Sequence, residues 1–149
     1  MRKLLTITVS LLASVQLSSA DLIANLVGKW KSNNTGPNAE LIVNFKRLGT
    51  KGFVYKSTLS IPGQPSTTGV ISYQGNGTTR GTVNHGGLVA TVTGTWRIMG
   101  NTFSETSVIT SRIGTTNTTS RSTLINPRKI RVNSVVNSAS SVGTLSKLR

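Results

Sequence analysis

The stretch Leu88-Val-Ala-Thr-Val-Thr-Gly-Thr-Trp-Arg-Ile98 alternates apolar and polar side chains more clearly than any other part of the chain. Apolar residues and one glycine take every second position from Leu88 to Ile98, and threonines and Arg97 take most of the positions between. Successive side chains of a strand point to opposite faces. The stretch therefore predicts a β-strand with one buried face and one wet face, as in an antiparallel sheet.

Three further runs show the same period of two: Glu40–Lys46, Phe53–Leu59 and Lys129–Val136. We expect a last short strand over Thr144–Leu148, and we interpret the Thr-rich segment 114–120 as a loop. Residues that favour tight turns separate the runs, at 48–50, 62–65, 75–77, 85–87, 100–101 and 126–127. Helical periodicity is essentially absent beyond the short segment that precedes the first strand.

Residues 1–20 have the features of a secretory signal peptide. A basic pair, Arg2 and Lys3, precedes an apolar stretch, Leu4–Leu17, and small residues lead to a predicted cleavage site after Ala20. The apolar stretch is shorter than the roughly 20 residues that a membrane-spanning helix needs. We therefore expect the mature protein to be secreted or periplasmic and not to span a membrane.

The remaining residues, 21–149, are expected to form a single all-β domain, an antiparallel up-and-down β-barrel of about eight strands. Closing the sheet removes the exposed edges that strands rich in Val, Ile and Thr would otherwise present. The chain has no cysteine, so no disulfide can stabilise it. Burial and hydrogen bonding must therefore hold this domain together.

The composition argues against most enzymes. The chain has 17 Lys and Arg, 3 Asp and Glu, and 1 His, for a formal charge of +14, and loss of Arg2 and Lys3 lowers this to +12. We expect no catalytic residues, no metal site and no cofactor, because zinc sites and paired acids lack the residues they need. His85 is interpreted as a solvated turn residue, and Glu40 and Glu105 as ion-pair partners.

One hypothesis gives Glu105 a further role. If its side chain points inward beside Arg97 or Arg121, the buried pair could anchor a polar ligand.

The segment Asp21–Trp30 ends in Gly28-Lys29-Trp30, which opens the first strand after a short amphipathic turn. It resembles the Gly-x-Trp signature of the calycin group, which includes lipocalins, fatty-acid-binding proteins and avidins. The resemblance implies that Trp30 closes one end of the barrel under a basic side chain from a late strand. Arg131 and Arg128 are the candidates for that partner, and Arg149 is a further one. A cation over the indole face would add a cation–π interaction.

A second motif, Gly94-Thr95-Trp96, is similar to the middle hairpin of small bacterial lipocalin-like domains and, more faintly, to a strand of avidins. Biotin binding of the avidin type is implied to need further tryptophans in the pocket. This chain has only two tryptophans, Trp30 and Trp96.

We therefore expect a non-enzymatic, lipocalin-like binding protein that holds a small apolar or anionic ligand inside the barrel. The expected lining residues are Phe53, Tyr55, Tyr73, Trp96 and Phe103. The alternative is an interaction protein whose basic outer surface binds an acidic protein, an acidic polysaccharide or a lipid head group. Nucleic acid is not an expected partner, because the protein is exported and has few aromatic residues for stacking.

Overall fold

The strands form one closed antiparallel barrel in the computed structural model, which describes residues 19–149. The elements are α1 (Ser19–Leu26), β1 (Gly28–Ser32), β2 (Glu40–Leu48), β3 (Gly52–Ser60), β4 (Thr67–Tyr73), β5 (Thr78–His85), β6 (Leu88–Met99), β7 (Thr102–Ser111), β8 (Gly114–Asn126), β9 (Lys129–Val136) and β10 (Ala139–Lys147). Of the predicted signal peptide, residues 1–18 lie outside the described residues, and the last two begin α1.

Each strand pairs with the next along the chain, and β1 pairs with β10 to close the sheet. The prediction of an all-β, antiparallel, up-and-down barrel is therefore confirmed, and each of the six predicted turns lies between two strands. The predicted number of about eight strands is wrong, since the barrel has ten within residues 19–149. No helix in that part of the chain is long and apolar enough to cross a membrane.

The strands that the sequence did not single out have an interrupted apolar alternation. In β4 and β5, inward positions are taken by Gly69 and Gly81, so the period of two has no apolar marker there. The segment 114–120, interpreted as a loop, is the first half of β8, and its inward side chains are hydroxyls such as Thr118 and Ser120. Ser and Thr can occupy a strand face that borders a wet interior, so hydropathy alone does not reveal it.

Two strand glycines allow the backbone of a neighbouring strand to approach closely. A Cβ atom at Gly81 would overlap the carbonyl oxygen of Val70, and one at Gly94 would overlap that of Thr106. Glycine inside a strand often marks such a close backbone approach. A larger residue would therefore clash with the neighbouring strand at either position.

The two ends of the barrel differ. One residue, Val27, separates the helix α1 from Gly28, which pairs with Phe45 near the end of β2. The helix therefore lies at the end that holds the β2–β3, β4–β5, β6–β7 and β8–β9 turns, which we call the closed end. The opposite end, with the β3–β4, β5–β6, β7–β8 and β9–β10 turns, is called the open end.

Aromatic rings fill the closed half of the interior. The Phe53 ring stacks on Tyr73 with centroids 4.5 Å apart, and it meets Trp96 and Phe103 edge-on at 5.4 Å each. Phe45 adds a further ring 5.7 Å from Phe53. Such tilted and edge-on pairs are favourable beyond the area that they bury. The cluster forms a dry floor across the barrel.

Candidate ligand-binding site

The helix α1 seals the closed end. Leu22, Ile23 and Leu26 each expose 1% or less of their surface, so the helix buries its whole apolar face in the barrel mouth. The indole Nε1 of Trp30, itself fully buried, donates a 2.7 Å hydrogen bond to the carbonyl oxygen of Leu26. The plug and the first strand are thus tied together through one side chain.

The basic partner of Trp30 is Lys147 rather than Arg131. The Nζ atom of Lys147 lies 5.2 Å from the indole centroid and donates a 2.8 Å hydrogen bond to the carbonyl oxygen of Asn25. Arg131 is exposed on the outer face of β9, and Arg128 is exposed in the β8–β9 turn. Partial burial, and then the charge of Arg128, lower the pKa of Lys147.

The reason is the register of the last strand. Lys147 lies directly opposite Trp30 in the β1–β10 ladder, whereas Arg131 lies opposite Thr144 with its side chain pointing away from the interior. The partner follows from the pairing of β1 with β10, two strands that are far apart in the sequence. No local sequence pattern predicts it.

A cavity of about 410 Å³ occupies the open half of the barrel. This volume lies within the range of small-molecule sites, about 300–1,000 Å³. One side of the lining is apolar and comprises Leu41, Val43, Phe45, Tyr55 and Ile71. The other side is rich in hydroxyls and comprises Ser120, Ser122, Ser134 and Ser141.

The width of the barrel explains why space remains. An eight-stranded barrel is just wide enough for its side chains to fill or for one small ligand, and the diameter grows with the number of strands. Here ten strands enclose the interior, and the β8–β10 side contributes short Ser and Thr side chains. These side chains are too small to reach the opposite wall.

The floor of the cavity carries a partly buried acid, Glu105. The hydroxyl of Tyr73 donates a 2.7 Å hydrogen bond to Oε2 of Glu105, and both residues line the cavity. Burial raises the pKa of Glu105, although hydrogen bonds from Tyr73 and Ser107 act in the opposite direction. Burial and the neighbouring Glu105 also raise the pKa of Tyr73 well above its ordinary value, so this phenol stays protonated.

The hypothesis of a buried Glu105–arginine pair is wrong. Arg97 and Arg121 both lie opposite Ser104 in the ladder, on the outer face. Glu105 is the next residue along β7, so its side chain points to the interior. Adjacent strand positions face opposite sides, and neither arginine can therefore reach the acid through the wall.

The cavity has no positive charge in its lining. None of the lining residues is Lys, Arg or His, and the ionisable groups among them are Glu105, Tyr55 and Tyr73. Burial raises the pKa of Tyr55 as well, so it remains neutral. The lining of this cavity therefore carries no cationic side chain, although the chain as a whole is strongly basic.

Three of the five predicted lining residues border the cavity: Tyr55, Tyr73 and Phe103. The other two, Phe53 and Trp96, belong to the packed aromatic floor beneath it. Phe53 is fully buried, and Nε1 of Trp96 donates a 2.8 Å hydrogen bond to the carbonyl oxygen of Gln74 in the β4–β5 turn.

Sequence reasoning missed most of the hydroxyl-rich side. The available signal was that Thr118, Ser120 and Ser122 occupy every second position. This alternation does not appear as a change in hydropathy, because both faces of β8 carry polar residues there. It also missed apolar lining residues such as Leu41 and Val43. The alternation in Glu40–Lys46 predicts a buried face, but it does not show that this face borders a cavity.

The remaining polar residues singled out from the sequence lie outside the cavity. Nδ1 of His85 is 2.7 Å from Oγ1 of Thr67 at the open end, where both belong to strands. Glu40 forms an exposed 2.8 Å ion pair with Lys31, which confirms its expected role. Within residues 19–149, no group of three or more His, Cys, Asp and Glu residues could hold a metal ion.

Comparison with known proteins supports the barrel alone. No protein-family model matches the chain, and no curated protein matches it. The crystal structure of Rv2717c from M. tuberculosis is similar, with a TM-score of 0.56 and 14% sequence identity over 89% of this chain and 99% of that chain. At this identity, the similarity concerns the fold and carries no information on the ligand.

Proposed function

We propose that this protein is a non-enzymatic, calycin-like binding protein that holds one small ligand in the open half of its barrel. The single observation that carries the proposal is the 410 Å³ cavity, in which an apolar side faces a hydroxyl-rich side above Glu105. Such a lining suits a ligand with an apolar body and a few hydrogen-bonding groups. The export predicted from residues 1–20 is part of the same proposal.

The ligand is expected to be neutral or positively charged. An anion in the cavity would meet no cationic side chain and would lie near the Glu105 carboxyl group, so its desolvation would go uncompensated. A neutral group could accept or donate hydrogen bonds at Glu105 and Tyr73, and an amine would keep Glu105 ionised. Of the two ligand classes expected from the sequence, we therefore retain the apolar one.

The test uses two fluorescent probes that share one ring system. N-phenyl-1-naphthylamine is neutral, and 1-anilinonaphthalene-8-sulfonate carries an added sulfonate. We expect the neutral probe to bind with enhanced fluorescence that changes little with salt, because apolar burial is not screened. The sulfonate should bind at least about tenfold more weakly, since a charge buried without a partner is costly.

Two variants separate the interior from the outer surface. Ser120→Phe places a ring in the cavity lining, whereas Thr119→Phe places the same ring on the outer face of β8, one residue away. The first should abolish binding of the neutral probe, and the second should leave it unchanged. Equal loss in both variants, or no binding by the parent protein, would contradict the proposal.

A further inference from the structure

The exposed basic residues concentrate at one end of the barrel. Seven of them lie on or beside the closed-end turns and the first residues of β1: Lys29, Lys46, Arg47, Lys51, Arg128, Lys129 and Arg149. Asp21, at the start of α1, is the one acid of residues 19–149 at this end. The closed end therefore carries a strong positive potential.

The same end exposes apolar side chains at separate points. They are Val27, Leu48, Met99, Ile125 and Leu148, with between 37% and 65% of their surface exposed. Each lies within one residue of the closed-end terminus of a strand or helix, and each has a Lys or Arg within three residues in the sequence. We call these apolar residues, together with the seven basic ones, the closed-end surface.

The open end lacks this combination. Its turns also expose apolar residues, among them Ile113 at 77% and Val89 at 53%. In the described turns of that end, however, Arg112 is the one basic residue, and the nearby Lys31 is paired with Glu40. The two ends thus differ in charge far more than in exposed apolar area.

We propose that the closed-end surface docks on an anionic lipid membrane, with its basic residues against the phosphate head groups. The apolar side chains at the turn tips enter the boundary between head groups and acyl chains. This surface is separate from the cavity, and docking leaves the open end facing the solution. The inference is independent of what the cavity holds.

The arrangement favours a lipid surface over an acidic protein. Contacts with proteins are built around a continuous core enriched in aromatic residues. The closed-end surface has no exposed aromatic residue among those described, and its apolar side chains come from separate segments, at the ends of α1, β2, β6, β8 and β10. Side chains spaced in this way, each beside a cation, suit a fluid layer of anionic head groups.

The first experiment measures partition of the purified protein, with its N-terminus determined by mass spectrometry, onto vesicles. We expect binding to vesicles that contain phosphatidylglycerol, loss of binding as salt is raised, and little binding to phosphatidylcholine alone. Equal binding to both kinds of vesicle would overturn the proposal, because it would place the attraction in apolar contact alone. Absence of binding at low salt would overturn it too.

A matched pair of double variants locates the surface. Lys46→Gln with Arg47→Gln removes two cations from the closed end, and Lys56→Gln with Arg121→Gln removes two exposed cations from the middle of the outer wall. The first pair should weaken partition at least about tenfold and the second less than about threefold, since charges near the head groups contribute most. Equal effects would overturn the proposal.

A labelling experiment tests insertion directly. Because the chain has no cysteine, Met99→Cys and Ile113→Cys each give one site for a polarity-sensitive dye. The dye at position 99 should report an apolar environment when vesicles containing phosphatidylglycerol are added, and the dye at 113 should stay wet. If the dye at 99 stays wet while soluble polyglutamate competes for the protein, the surface binds acidic protein and the proposal is wrong.

Discussion

The two halves of the barrel interior contain different residues and have different roles. In the closed half, Trp30 and Phe53 are fully buried and in contact with other apolar groups. In the open half, Ser120 and Ser134 are only partly buried and border empty volume. The same closed sheet encloses both halves, so the difference lies in side-chain volume. The stability of the fold and its capacity to hold a ligand are therefore separated along the barrel axis.

The separation has a physical basis in burial. Fully burying a large apolar side chain stabilises a fold by about 1.5–3 kcal/mol, whereas burying a hydroxyl is favourable only when it finds a hydrogen-bond partner. A half lined by Ser and Thr contributes little to stability and can stay open. The half filled by aromatic rings supplies the stability that the open half lacks.

The largest expected effect is therefore on the aromatic floor. Phe53→Ala would leave a void beneath Tyr73 and should lower the free energy of unfolding by about 3–5 kcal/mol. Ser120→Ala, in the open half, should change it by less than about 0.5 kcal/mol. Urea denaturation followed by far-UV circular dichroism measures both changes.

Phe53→Leu serves as a milder variant should the alanine variant not fold, and it should still destabilise more than Ser120→Ala. Similar losses at Phe53 and Ser120 would break the distinction between the two halves. A loss at Ser120 alone would invert it.

The fold was largely predictable because its signals are local. The alternation in β6 and the turn residues between strands each involve residues that are close together in the sequence. Together they predict an antiparallel barrel. Two features that depend on distant pairing were not predictable. One is the partner of Trp30, which follows from the register of β10, and the other is the first half of β8, whose polar residues face a cavity rather than solvent alone.

The candidate site was predictable only in its aromatic part. Large rings such as Tyr55 and Phe103 mark inward positions by their hydropathy, but nothing in a single sequence says whether a ring faces a cavity or a packed floor. That depends on the number of strands, and ten rather than about eight strands changes the interior volume. The inward position of Glu105 also required the register of β7 against β6.

The second prediction concerns Glu105, which lies where the two halves meet. Burial raises its folded-state pKa above the ordinary value of 4.5, so the folded protein holds this proton more tightly than the unfolded chain does. The resulting stability is fully present below about pH 4.5 and is lost as the pH rises through the raised pKa. Glu105→Gln keeps an acceptor for the Tyr73 hydroxyl and removes the titration. The variant should therefore gain stability relative to the parent as the pH increases.

Unfolding in urea at a series of pH values between about 4 and 8 measures this difference, a range set by the ordinary carboxyl pKa and its upward shift. The other ionisable residues in the cavity lining, Tyr55 and Tyr73, remain protonated over that range because their pKa values are raised. Parallel stability curves for the two proteins would mean that Glu105 titrates as an exposed carboxyl. The acid would then belong to a wet region, and the boundary between the two halves would lie lower in the barrel.

The smallest expected effects on the free energy of unfolding come from two buried hydroxyl groups, those of Thr79 and Ser107. Oγ1 of Thr79, opposite Tyr73 in the β4–β5 ladder, is buried without a hydrogen-bond partner among the described residues, whereas Oγ of Ser107 lies 2.8 Å from Oγ1 of Thr118. Thr79→Val keeps the shape and removes an unsatisfied group, so it should stabilise the protein by about 1 kcal/mol. Ser107→Ala removes the hydrogen bonds of this hydroxyl to Thr118 and Glu105 and should destabilise the protein by about 1 kcal/mol. Changes of opposite sign in the free energy of unfolding, measured by urea denaturation with unchanged m-values, would separate the two halves. They would show that the Thr79 hydroxyl is unfavourable in the aromatic half and the Ser107 hydroxyl is satisfied in the open half. If both variants destabilise equally, the closed half is wetter than its burial indicates.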